Sequence, residues 1–321
     1  MKIGRTQMAA TNTGRTRLQS IGHEISRNKV LFLMILPMVL YVFIFNYIPM
    51  GGIVIAFKNY NYRLGILGSK WVGFDNFKYL FESGTMGLLL KNTIIYNLCF
   101  IFIGTAFRIL MAILLSEIVG KRVVKVMQSI TILPHFISWV IIGGFVYNVL
   151  NYEYGILNNI LSSLGLERLD VYNNPGAWRF IIVFVYLWQS SGYGMIYYLT
   201  TITGIDTELY EASYIDGCGL FQRIRHITLP MLVPTVILLL LMSLSKILAG
   251  NFQMFYQTVG TNAALFKTTD IIETFSFRAL MVDSDYGYSS ATTLFQQVFG
   301  FVLVMTVNGL IRRYEKDLAL F

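Results

Sequence analysis

Six stretches of mainly apolar residues recur along the chain, separated by more polar segments. They cover roughly residues 30–57, 91–116, 127–150, 179–203, 229–249 and 289–311. A helix needs about 20 apolar residues to cross the hydrocarbon core of a bilayer, and each stretch is long enough to do so. The pattern predicts an all-α integral membrane protein with a polar tail at 1–28 and one six-helix transmembrane domain at 29–321.

Composition and charge support a membrane location. Hydrophobic residues make up 55% of the chain and charged residues 13%, which is too apolar for an ordinary soluble domain. Most of the Lys and Arg residues fall in the N-terminal tail, at 121–125, at 223–225 and after 311. Positive charge is retained on the inner side, so both termini and the 204–228 loop are predicted to be cytoplasmic. The net charge of +8 therefore requires no nucleic-acid partner.

Recognisable catalytic chemistry is missing from the sequence. There is no G-x-x-x-x-G-K-[ST] phosphate loop, no H-E-x-x-H zinc motif and no G-x-S-x-G nucleophile turn. The histidines His23, His135 and His226 are scattered, and Cys99 and Cys218 lie in different segments. We therefore expect no catalytic residues, no metal site and no cofactor bound by this chain. Energy for any uphill transport must come from a partner.

The longest predicted cytoplasmic connection is polar and carries several glycines. Gly217 tolerates a positive φ and predicts a turn between two short helices at the membrane surface. Pro230 is expected to open the fifth membrane helix, where its missing N–H costs nothing.

Polar residues inside the predicted spans are candidates for a substrate path. Arg108 should face protein or water, because an arginine at a helix centre costs about 2.5–3.5 kcal/mol, although it could also extend to the inner surface. Tyr186, Ser190, Tyr193 and Tyr197 share one face of the fourth span, as sugar-binding groups or as packing residues. The remaining candidates, near the outer ends of the fifth and sixth spans, are Asn251, Gln253 and Gln296.

The segment 204–230 resembles the EAA loop of binding-protein-dependent ABC importer permeases. The matching residues are Glu211, Ala212, Gly217, Ile227, Leu229 and Pro230. Ser213 departs from the alanine that many members have there. Other segments look like the polysaccharide and oligosaccharide class that includes aldouronate and alginate importers. These segments are 45–58, 133–140, 270–275 and 288–292.

The resemblance implies a type I ABC importer permease with a MetI-like fold in the bacterial cytoplasmic membrane. The implied partners are a second homologous permease, two ATP-binding subunits that use ATP and Mg, and an external solute-binding lipoprotein. The implied cargo is an oligosaccharide, with uronate-containing sugars among the candidates, moved by alternating access. Peptide or glycerol phosphate import, or a receptor or scaffold without transport, are the alternatives.

In such a permease the EAA loop seats in a cleft of the ATPase. The residues implied to couple the two subunits are Glu211, Ala212, Ser213, Asp216, Gly217, Leu220 and Arg223.

Overall fold

The computed structural model describes residues 27–314, so the predicted tail at 1–28 lies outside the described residues except for its last two. The chain divides into two units, one ending at Val54 and one beginning at Ile55. The first unit contributes most of helix α1 (Lys29–Phe57). A π turn at Phe43–Tyr47 interrupts α1 just before Pro49, and no residue of its most apolar window is buried. A helix that is apolar on all sides suits a lipid environment.

The described part of the second unit is helical and contains one two-stranded antiparallel sheet, in which β1 (Lys58–Asn59) pairs with β2 (Lys70–Trp71). Its longer helices are α2 (Asp75–Glu82), α3 (Thr85–Ser116), α4 (Lys121–Ile132), α5 (Trp139–Leu150), α6 (Ile156–Ser163), α7 (Pro175–Thr203), α8 (Thr207–Ile215), α9 (Leu220–Leu244), α10 (Phe252–Val259), α11 (Ile272–Met281) and α12 (Tyr286–Tyr314). Short helical turns lie at Gly65–Gly68, Leu133–Phe136, Val171–Asn173, Ala263–Leu265 and Phe266–Thr269.

Helices α3 and α7 pack along each other and share two apolar clusters. One cluster joins Tyr96 and Phe100 of α3 to Trp178 of α7, and the other joins Ala112 of α3 to Met195 of α7. The residues between these clusters on both helices include charged and hydroxyl side chains. A polar layer therefore lies between two apolar cores, held by two helices long enough to cross a membrane.

The third predicted span, 127–150, is not one helix. Helices α4 and α5 meet at an angle of 94° across the break at residues 137–138. Pro134 lies in the 3₁₀ turn before the break, Ile137 is extended, and the Ser138 hydroxyl accepts a hydrogen bond from the Ile141 N–H. Among the described residues, five helices could each cross a membrane alone, and six spans result if this bent pair is one of them.

The start of the fifth span also differs from the prediction. Pro230 does not open the helix, because α9 begins ten residues earlier, at Leu220, and continues into the apolar segment. A π turn at Ile224–Thr228 precedes the proline, and the Leu229 N–H bonds to the Ile224 carbonyl five residues back. The second helix of the predicted surface pair is therefore the first part of the membrane helix itself.

We expect Gly192→Ala to destabilise the bundle. A methyl group at Gly192 would overlap the backbone carbonyl of Thr131, because α7 touches α4 directly at this point. Backbone atoms cannot move aside cheaply, so the cost should be about 1–3 kcal/mol. Thermal unfolding in detergent measures the effect. Gly144→Ala is the control, since a methyl group there meets nothing within 4 Å; equal melting temperatures for the two variants would contradict the prediction.

Candidate functional site

Helix α8 and the turn after it are fixed by local hydrogen bonds. Asp206 caps the helix by accepting from the Glu208 N–H. Gly217 has a φ of 74°, and the N–H groups of Gly217 and Cys218 bond to the carbonyls of Tyr214 and Ser213. This closure resembles a Schellman motif, which requires a left-handed residue after the helix. The predicted glycine turn between two helices is present.

Large apolar side chains surround this turn and point into solvent. Ile215 is 87% exposed and Phe221 is 84% exposed. We call this region the coupling surface; its apolar members are Leu209, Tyr214, Ile215, Leu220 and Phe221. Contiguous exposed apolar groups mark interaction sites more often than free surface. The end of the bundle that carries α8 is therefore suited to bind another protein.

The candidate coupling residues divide into two groups. Five of them are exposed at or near the coupling surface, namely Glu211, Ala212, Asp216, Gly217 and Leu220. Ser213 is buried and donates a hydrogen bond to the Tyr210 carbonyl. Arg223 is also buried, so its side chain faces the interior of this chain.

The polar layer between α3 and α7 is centred on Arg108. Its Nη2 donates to the Tyr186 hydroxyl at 3.0 Å and to the Ser190 hydroxyl at 3.5 Å, while its Nε is buried without a partner among the described residues. Gly104 and Gly194 lie against its side chain and leave room for it. Arg108 thus reaches across to α7 instead of extending to the inner surface.

Tyr193 and Tyr197 continue the same face of α7 and remain 42% and 49% exposed. Their rings meet edge to face, and the Tyr193 ring stacks on His135 with the two planes only 7° apart. His135 belongs to the turn that precedes the break between α4 and α5. The predicted tyrosine face is therefore partly open and partly packed against the broken span.

The remaining path candidates lie on other elements than the Arg108 layer. Asn251 caps α10 by accepting from the Met254 N–H, and Gln253 is exposed on the same helix. Gln296 is buried and donates to the Leu248 carbonyl and to Glu273, each at 2.6 Å. Its amide NH₂ group is therefore already engaged within the protein.

A groove of about 980 Å³ lies at the end of the bundle away from α8. Tyrosines line it, and the Tyr154 hydroxyl donates to the Tyr147 hydroxyl at 3.0 Å. Burial raises the pKa of Tyr172 to about 12, and its hydroxyl has no partner among the described residues. The groove offers aromatic faces and hydroxyl groups together with the carboxylates of Glu153 and Asp170.

Several site residues escaped the sequence analysis. Glu117, the partner of Arg223, follows the end of α3 and carries no motif. His135 lies next to Pro134, which together with Ser138 marks the break in the sequence. Gly194 was visible as a glycine inside a span, but its contact with Arg108 depends on the packing of α3 against α7.

A protein family and two proteins of Bacillus subtilis match this chain. Residues 104–316 match the family described as "Binding-protein-dependent transport system inner membrane component". The polygalacturonan/rhamnogalacturonan transport system permease protein YteP of Bacillus subtilis (strain 168) is 34% identical, over 92% of this chain and 91% of its own length. Protein LplB of the same organism is 32% identical, over 91% of this chain and 92% of its own length.

Two solved structures share the fold. A chain from a bacterial ABC transporter involved in the import of the acidic polysaccharide alginate superposes with a TM-score of 0.81 at 33% identity, covering 92% of this chain and 99% of that one. A second, from an alginate transporter in complex with an alginate pentasaccharide-bound periplasmic protein, gives 0.79 at 34% identity, with coverages of 92% and 98%. The chain belongs to the family of binding-protein-dependent transport system inner membrane components, the membrane-spanning permeases of ABC transporters.

Proposed function

We propose that this permease imports an acidic oligosaccharide delivered by an external binding protein. The observation that carries the proposal is the unneutralised cation in the polar layer. Among the described residues no carboxylate lies within ion-pair distance of Arg108, although its guanidinium is half-buried between two apolar clusters. An uncompensated charge in a membrane span is costly and marks a ligand pathway by default. A uronate carboxylate would supply the missing negative charge.

The neighbouring side chains suit the rest of a sugar. Tyr186 and Ser190 carry hydroxyls at the guanidinium, and the exposed rings of Tyr193 and Tyr197 lie further along the helix face. Aromatic rings cover the apolar faces of pyranoses, and hydroxyls pair with theirs. The matched relatives support the same class, since one is named for polygalacturonan and another belongs to an importer of acidic alginate. Peptide and glycerol phosphate cargoes have no comparable support.

Membership of the family also supports a proposal for the rest of the complex. The proposed partners are a second permease, two ATP-binding subunits, one of which docks on the coupling surface, and a binding protein at the other end of the bundle. ATP and Mg would act in the ATP-binding subunits, so this chain itself is a non-catalytic subunit. The proposed orientation places both termini and the coupling surface in the cytoplasm.

We expect Arg108→Gln to reduce uptake of an acidic oligosaccharide by about tenfold, because losing one charge-assisted contact is worth about 1.4 kcal/mol. The measurement is uptake into proteoliposomes that contain the whole complex, with labelled tetragalacturonate as the probe. Its carboxyl-reduced, neutral counterpart is the matched ligand, and uptake of that ligand should change less than about twofold.

Three results would count against the proposal. Equal losses for the two probes would show that Arg108 supports packing and not charge recognition. Unchanged uptake of tetragalacturonate in the variant would remove Arg108 from the path. If the native complex carries neither probe but responds to another solute of its binding protein, the proposed cargo class is wrong.

A further inference from the structure

Arg223 joins three elements that are otherwise separate in the sequence. It belongs to the first turn of α9, its Nη2 lies 3.9 Å from a carboxylate oxygen of Glu117, and its guanidinium lies 3.9 Å from the centre of the Tyr214 ring. Glu117 caps the C-terminal end of α3, and Tyr214 is on α8. One side chain therefore contacts α8, which we call the coupling helix, and the end of a membrane helix at once.

The environment of Arg223 differs from that of its neighbour Arg225. Arg223 is 9% exposed, whereas Arg225 is exposed. A buried cation is costly unless it is paired, and here Glu117 and the negative C-terminal end of α3 both offset the cost. The two arginines, only two residues apart, therefore cannot have the same role.

A cavity of about 570 Å³ lies beside this contact. Residues at the ends of α3 and α7, on α4 and on α8 line it, and Glu117, Tyr214 and Arg223 lie at its wall. Helices α9 and α3 share an apolar cluster further along their lengths, but beside the cavity side-chain packing cannot carry a displacement from one helix to the next. The Arg223–Glu117 contact bridges α9 and α3 at this wall, while Tyr210 and Thr228 join α8 to α9 by a hydrogen bond of 3.0 Å.

We infer that Arg223 and Glu117 form a mechanical link that carries movement of the coupling helix into α3. When a partner displaces α8, Tyr214 and Arg223 move with it, and Glu117 transmits the displacement to the end of α3. Arg108 lies on the same helix nine residues before Glu117, a distance of about 13 Å along the axis. Arg223 and Glu117 are thus positioning residues: they act through α3 on the polar layer and touch neither cargo nor ATPase.

This inference rests on the proposed function, because a link needs a driving partner at one end and a gated path at the other. Its test uses the complete transporter in proteoliposomes with Glu117→Gln, Arg223→Gln, the double variant and Arg225→Gln as the matched control. Three quantities are measured for each: labelled tetragalacturonate taken up per ATP hydrolysed, ATPase subunits retained on purification, and melting temperature.

We expect each single variant of the link to retain the ATPase subunits and to lower uptake per ATP by at least fivefold. The double variant should be no worse than Arg223→Gln alone, because the two residues act through each other. Arg225→Gln should match the native complex in all three measurements.

Other outcomes separate the alternatives. Loss of the ATPase subunits from Arg223→Gln, with Glu117→Gln unaffected, would make Arg223 a direct docking residue and overturn the link. A lower melting temperature with native uptake per ATP would reduce the pair to a structural contact and also overturn it. A native complex that hydrolyses ATP in response to its binding protein, yet carries no tetragalacturonate, instead contradicts the proposed cargo; uptake per ATP of that protein's own solute then decides the link by the same criteria.

Discussion

Gly217→Val is expected to abolish capture of the ATP-binding subunits and, with it, uptake. Gly217 has a φ of 74°, a conformation that costs an L-residue roughly 1–2 kcal/mol and a β-branched residue more. Relaxing that φ breaks the bonds from the Gly217 and Cys218 N–H groups to α8 and reorients the coupling surface. We expect at least a tenfold loss of co-purified ATPase and of uptake, measured on the detergent-solubilised complex and in proteoliposomes.

The effect should arise from the backbone and not from bulk. A Cβ at Gly217 meets nothing within 4 Å, so the added side chain collides with no neighbour in this chain. Gly219→Val is the matched control, because Gly219 is equally exposed but has a φ of −69° that valine adopts without strain. If the two variants lose the ATPase equally, the loss is due to added volume at the coupling surface and not to backbone conformation.

The apolar spans could be predicted from sequence because lipid imposes one requirement on every residue of a span. The predicted segments 91–116 and 179–203 lie within α3 and α7, which begin a few residues earlier, at their N-terminal ends. The break between α4 and α5 was missed because hydropathy depends on composition alone and does not indicate the direction of a helix axis. Pro134 in the turn and Ser138 as the cap mark the change of direction, and two residues change the mean hydropathy of the segment little.

The coupling turn was predictable for a similar reason, since Gly217 acts through its own backbone. Contacts between distant segments were not. The sequence placed Arg223 among the coupling residues, but only the fold brings Glu117 to it. Gln296 looked like a free polar group in a span, but its amide bonds to Glu273 and to the Leu248 carbonyl. Partners of this kind become visible once helix packing is known.

The segment after α10 contains the shortest ion pair in the described part of the chain, formed between Asp270 and Arg278. The Nη1 and Nη2 atoms of Arg278 donate to the Asp270 carboxylate, at 3.2 and 2.6 Å, and the Thr274 hydroxyl donates to the same carboxylate. The Asn92 amide of α3 donates to the Asp270 carbonyl at 2.9 Å, and the Arg278 guanidinium lies 3.9 Å from the centre of the Phe266 ring. Asp270 therefore anchors the segment to α3.

We expect Asp270→Asn to destabilise the protein by about 3 kcal/mol, because removing one member of a buried ion pair leaves the other charge without compensation. The Asp270 and Arg278 side chains are only 6% and 18% exposed, and asparagine has the same shape, so the loss is one of charge. The expected fall in melting temperature, measured by thermal unfolding in detergent, is roughly 6 °C.

Burial is the reason why we expect a large change in stability at the Asp270–Arg278 pair, and an exposed ion pair in the same chain allows a direct comparison. Lys78 and Glu82 form an exposed ion pair at 3.8 Å with side chains 69% and 68% exposed. Glu82→Gln should change the stability by less than about 1 kcal/mol, since solvent screens an exposed pair. Were Asp270→Asn as mild as Glu82→Gln, Arg278 would have to find compensation from water or from the faces of Phe266 and Phe275. The anchoring of this segment would then depend on its apolar residues and backbone hydrogen bonds rather than on the carboxylate.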